Sequence, residues 1–136
     1  MEKIQKFLND WTEDLFGTKP IFLSLVEGIM GKKGIELEFI ARPGISYSLR
    51  GIQREQKERP LFVMIDVIDD DPKERWLSVC FYGDMVNDPE EIGDLIPGGL
   101  LGSDGYCFDI TGSDEKIKEY VGNRIQEAYQ HSINLN

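Results

Sequence analysis

The single histidine, His131, lies near the C-terminus, beyond the strongest apolar part of the last helical stretch. A Ser or Cys nucleophile ordinarily needs an imidazole beside it. A histidine at a chain end reads as a solvated residue, so no Ser-His-Asp or Cys-His triad can be drawn, and a large class of hydrolases is set aside. Carboxylates remain. Asp66, Asp69, Asp70, Asp71 and Glu74 crowd one hairpin, and Asp84, Asp88, Glu90, Glu91 and Asp94 crowd the segment after it. Oxygen ligands of this kind suit Ca²⁺ or Mg²⁺, with Asp69, Asp71, Asp84 and Asp88 as candidates. Pro72 falls where an EF-hand loop continues its ligand series, so a solvated turn and a helix start are the plainer reading. No cofactor is expected. An enzyme built on these groups would need Asp84, Asp88 and Arg50 to converge in one pocket.

Two further motifs invite chemistry and fall short of it. The run from Pro97 to Gly105 holds four glycines, but it lacks the Lys-Ser/Thr ending of a phosphate loop and the spacing of a dinucleotide fingerprint. Asp104 and Asp109 would repel a phosphate, so a surface loop is expected. Cys80 and Cys107 both sit in apolar, strand-like stretches. They read as buried or half-buried free thiols, since two cysteines make no disulfide framework in a chain this long.

The elements that would position these groups follow from periodicity. Ile4, Phe7, Leu8, Trp11, Leu15 and Phe16 form a stripe at helical spacing over residues 3–16. Thr18 and Pro20 start a second helix over residues 20–31, with Ile21, Phe22, Leu25, Val26, Ile29 and Met30 inward. The period then changes to two. Ile35, Leu37 and Phe39 alternate with Glu36 and Glu38, and Ile45, Tyr47 and Leu49 resume after Arg42-Pro43-Gly44. A polar loop spans residues 51–59. Leu61 to Ile68 and Trp76 to Tyr82 make two more strands, and Tyr106 to Ile110 a brief fifth. Pro89 starts a short helix through Leu95, and Ser113 caps a closing helix with Ile117, Tyr120, Val121, Ile125, Ala128 and Tyr129 on its apolar face. The expectation is one α+β domain over residues 1–136. Its antiparallel meander of about five strands is covered by two N-terminal helices and one C-terminal helix in two layers.

Strand alternation then singles out a surface. With Val63, Ile65, Leu77, Val79 and Phe81 toward the helices, Phe62, Met64, Trp76, Cys80 and Tyr82 point the other way, together with Ser46, Ser48, Arg50, Asp66 and Ser78. A free sheet face is usually polar. Aromatics, Met and Arg are the types enriched at contacts, so Arg50, Phe62, Met64, Trp76 and Tyr82 are the interface candidates. The alternative is that residues 83–105 or a helix fold over that face.

The chain has 136 residues and a formal net charge of −10. Residues 31–60 carry seven Lys/Arg against four Glu, whereas residues 61–120 carry four against fifteen acids. Phosphate backbones would be repelled by the second stretch, so nucleic-acid binding is not expected. No segment approaches the roughly 20 apolar residues of a membrane span, and nothing resembles a signal peptide. A soluble, cytoplasmic protein is the expectation. The second helix, the strand at Ile45-Ser46-Tyr47, the strand from Trp76 to Phe81 and the Asn87-Asp88-Pro89 turn resemble small bacterial domains of the YdhG-like and DUF5655 families. Gly98-Gly99, Tyr106-Cys107-Phe108 and a final helix ending in Ala128-Tyr129 follow in the same order. The resemblance implies a compact α/β sandwich and supplies no functional residues. The reading drawn from the residues is a non-enzymatic binding module, self-associating as a homodimer or joined to a protein partner. The alternatives are a secretion-chaperone-like adaptor that holds an extended segment, and a carboxylate- or metal-dependent enzyme.

Overall fold

The computed structural model describes residues 2–134. Helices α1 (Glu2–Asp10) and α2 (Lys19–Met30) come first. Strands β1 (Ile35–Arg42), β2 (Ser46–Gln53), β3 (Leu61–Ile68) and β4 (Trp76–Tyr82) follow, then a 3₁₀ turn at Gly83–Met85. Strands β5 (Asp94–Leu100) and β6 (Ser103–Ile110) precede the long helix α3 (Glu115–Asn134). The strands form one antiparallel sheet in the order β1-β2-β3-β4-β6-β5. The fold class is α+β, with six strands among the described residues where about five were expected.

All three helices pack on one face of the sheet. Phe7 of α1 stacks on Tyr47 at 4.1 Å between ring centroids, and Phe22 of α2 meets Phe7 edge-on at 6.3 Å. On α3, Tyr120 lies 6.0 Å from Phe108 and Tyr129 lies 5.7 Å from Phe62. Beneath them the cross-strand row Leu49, Ile65, Val79 and Phe108 is almost wholly buried. Burial of this continuous apolar layer is the main favourable term for the fold. Truncating Leu77 or Phe81, both fully buried, to Ala should cost about 2–5 kcal/mol.

The first helix stops at Asp10, well short of the periodicity, and Leu15 is 69% exposed. Capping explains the break. The Asp14 carboxylate accepts from the amides of Thr18 and Lys19, while Lys19 Nζ donates to the carbonyls of Leu8 and Trp11. The end of α1 and the start of α2 are thus satisfied by each other's neighbours. Thr18 leaves its expected cap role and donates to the Arg75 carbonyl at 2.7 Å. Met30 is half exposed at the end of α2. The cap of α3 is Asp114, whose Oδ1 accepts from Lys116 and Ile117, not Ser113.

The expected helix after Pro89 is absent, and strand β5 lies downstream of it. Asp88 accepts from the amides of Ile92 and Gly93. Gly93 passes so close to the rings of Tyr106 and Phe108 that a Cβ there would collide with both. The chain then runs to the far edge as β5 and turns at Leu101-Gly102, both at positive φ, the geometry of a two-residue hairpin. It returns as β6 between β5 and β4. The sheet is therefore a meander only through β4.

Candidate functional site

Among the described residues no helix lies over the second face of the sheet. Its geometry follows from the register. One cross-strand row reads Glu38, Arg50, Met64, Cys80, Cys107 and Asp94. The next reads Ile40, Ser48, Asp66, Ser78 and Asp109, and a third Arg42, Ser46, Ile68 and Trp76. Arg50, Met64, Asp66 and Trp76 are half-buried on it. The best-formed cavities lie elsewhere. One of about 400 Å³ opens between α2 and α3 over Gly28, Gly122, Leu25 and Ile125, and another of about 240 Å³ lies beside α1 at Phe7, Phe39 and Tyr47.

Two expected members of this face are placed differently. Phe62 is fully buried on the helix side, against Tyr129. The cause is a β-bulge: Gly51 pairs with Val63 and Ile52 with Leu61, leaving Phe62 as the extra residue. Its ring fills the space over Gly51, where an added Cβ would sit 3.0 Å from it. Strict alternation mispositions any residue at such an insertion. Tyr82 points outward but is buried, because the Arg59 guanidinium lies 4.6 Å from its ring centroid and is itself held to Asp84 at 2.8 Å. That cover comes from the loop after β2.

The cysteines are joined, which corrects the reading of them as free thiols. Cys80 and Cys107 stand directly opposite on β4 and β6 with Cα atoms 4.2 Å apart, and they form a disulfide. This is the close, non-hydrogen-bonded kind of antiparallel pair. The sequence carried no signal for it, since the pairing of β6 with β4 depends on β5 being displaced to the edge.

Asp66 sits at the middle of the face with Oδ1 buried and without a hydrogen-bond partner among the described residues. Burial pushes its carboxyl above the usual range, against the pull of Ser48, Arg50 and Arg42. Burial, with the charge of Asp94, also raises Asp109.

The four metal candidates are separated, each engaged by other groups. Asp69 is buried, bonded to Arg75 Nε at 2.8 Å and to the Gly44 amide. The Arg75 guanidinium in turn lies 5.3–5.6 Å from the ring centroids of Phe7, Trp11 and Tyr47. Asp71 accepts from the Lys73 amide, and Asp84 pairs with Arg59. Asp88 takes the hydroxyls of Tyr106 and Tyr120 on the helix side. Partial burial would raise its carboxyl, but these hydroxyls and the Gly93 and Ile92 amides hold it down at about 2. Tyr106 is pushed up to about 12 by the same bond. Among the described residues no group of three or more His, Cys, Asp or Glu is clustered to hold a metal ion. Arg50 is on the opposite face from Asp88, so the carboxylate–arginine constellation does not assemble.

Among the described residues no helix is long and apolar enough to cross a membrane. Compared with protein-family models, with curated proteins and with solved structures, the chain matches none.

Proposed function

We propose that this chain is a non-enzymatic, cytoplasmic interaction module that self-associates face to face through the helix-free side of its sheet. The observation that carries the reading is the composition of that side: Met64, Trp76, Ile40, Ile52 and Ile68 stand on it among scattered polar groups, each only half-buried within one copy. Sheets pack face to face with strands roughly aligned. With strands about 4.8 Å apart and about 3.3 Å per residue, six of them offer roughly 650 Å² per copy, about 1,300 Å² for a pair. A stable dimer needs an area of that order. The sheet edges are poorly suited to pairing. Strand β1 carries Glu36, Glu38 and Arg42, while β5 carries Pro97 and an irregular register after Ile96. A kinship with the YdhG-like and DUF5655 domains is proposed on element order and a few loose motifs, and it adds no residue to this surface.

Sedimentation equilibrium tests the reading. The expected mass is near twice 15.6 kDa, and Trp76→Glu and Met64→Glu should each give single chains with an unchanged circular dichroism spectrum. Glu36→Lys, at the edge, should leave the dimer intact. A wild-type chain that stays single up to millimolar concentration would defeat it.

A further inference from the structure

The Cys80–Cys107 bond lies on the helix-free face, between two strands that are also joined by their own ladder. Those strands pair over six consecutive residues, from Leu77 with Ile110 to Tyr82 with Gly105. The ring that the bond closes spans a sequence separation of only 27 residues, and the ladder closes it already. Cys107 is half-buried, while Cys80 is 5% exposed, so an incoming thiol reaches the Cys107 sulfur first. Ser78 Oγ stands 3.5 Å from Cys80 Sγ, placed to donate a hydrogen bond to the sulfur that leaves. Asp94 is the cross-strand partner of Cys107, and Asp109 follows two residues along the same face. These carboxylates repel an anionic reagent.

We infer that Cys80 and Cys107 form a reversible dithiol–disulfide couple that exchanges with low-molecular-weight thiols of neutral or positive character. In the reducing direction a thiolate RS⁻ attacks Cys107 Sγ, forming R–S–Sγ and releasing Cys80 as a thiolate near Ser78. A second RS⁻ attacks the reagent's own sulfur in that mixed disulfide, giving RSSR and freeing Cys107. Two electrons pass to the protein, and two small thiols become one disulfide. Oxidation is the reverse, with a small-molecule disulfide as the oxidant. The inference deepens the docking reading, because a second copy seated on the face would shield the pair.

The test uses the full chain at a dilution where sedimentation gives single chains. Cysteamine or glutathione is added at equal thiolate concentration, and free thiols are counted by alkylation and mass spectrometry. Both thiols should appear in native buffer with the circular dichroism spectrum retained. Cysteamine should act about ten-fold faster than glutathione at low salt, the gap narrowing as salt is added. Given the oxidised reagent cystamine, Cys80→Ser should form the mixed disulfide at Cys107 readily with release of one cysteamine, and Cys107→Ser should form it slowly at Cys80. Thiols released only in denaturant, or collapse of the sheet on reduction, would overturn the couple. Equal rates for the two reagents would overturn the charge selectivity. A chain that stays single at every concentration but releases both thiols defeats the docking reading and keeps the couple.

Discussion

Four donors converge on the Asp88 carboxylate, the Tyr106 and Tyr120 hydroxyls and the Ile92 and Gly93 amides, and its ionised form persists down to about pH 2. A carboxyl held below its ordinary range contributes stability that is complete above that range and is lost as pH falls toward 2. Asp88→Asn should therefore lower the urea midpoint at pH 7 and matter progressively less in melts between pH 4 and pH 2. Asp66 carries the opposite sign. Burial favours its neutral form, so ionisation costs stability as pH rises through and above the ordinary carboxylate range. Asp66→Asn should raise the midpoint at pH 7 and change little at pH 3. A parallel response of the two variants to pH would contradict both assignments. The carboxylate clusters themselves were legible as sequence. Their partners were not, because Tyr106 and Tyr120 are brought to Asp88 from 18 and 32 residues away.

The bulge at Gly51 is an element-scale device. It lets Phe62 cross to the helix side and settle against Tyr129, and the missing Cβ of Gly51 provides the room. Gly51→Val should force Phe62 and Val63 apart and cost about 1–3 kcal/mol in urea unfolding, whereas Gly44→Ala, with open space but positive φ, should cost about 1 kcal/mol for the backbone alone. Alternation placed β1, β3 and β4 well from the sequence, since their apolar residues recur every second position. It failed at Phe62, since a one-residue insertion flips parity and leaves no trace in the pattern. Strand β5 was hidden for a different reason. Its residues Asp94 to Ile96 are exposed, and Pro97, Gly98 and Gly99 read as loop until β6 supplies a partner. The helix boundaries slipped where side chains cap at a distance, as Asp14 and Lys19 do.

At the scale of the whole molecule, a chain with net charge −10 repels its own copies, and an apolar contact must overcome that repulsion. Raising salt from 0.05 to 0.5 M screens the repulsion, so the proposed dimer should tighten, read as a lower dissociation constant in sedimentation. Loosening with salt would mean that ion pairs such as those open to Arg42 and Arg50 dominate the contact. The fold class was legible because it depends on many residues at once, two amphipathic helices and a run of alternating strands. The face was legible only in part, since Met64 and Trp76 required nothing but parity, while Tyr82 lies under Arg59 from a loop with no pattern of its own.

The order of the strands along the sheet bears on how the chain is made. Strand β6 occupies the slot beside β4, and β5 can pair only with β6. A nascent chain that has emerged from the ribosome as far as Leu100 thus presents β4 with an unzipped flank of Leu77, Val79 and Phe81. That flank stays open until Ser103 to Ile110 have been synthesised, and the last hairpin must dock as a pair.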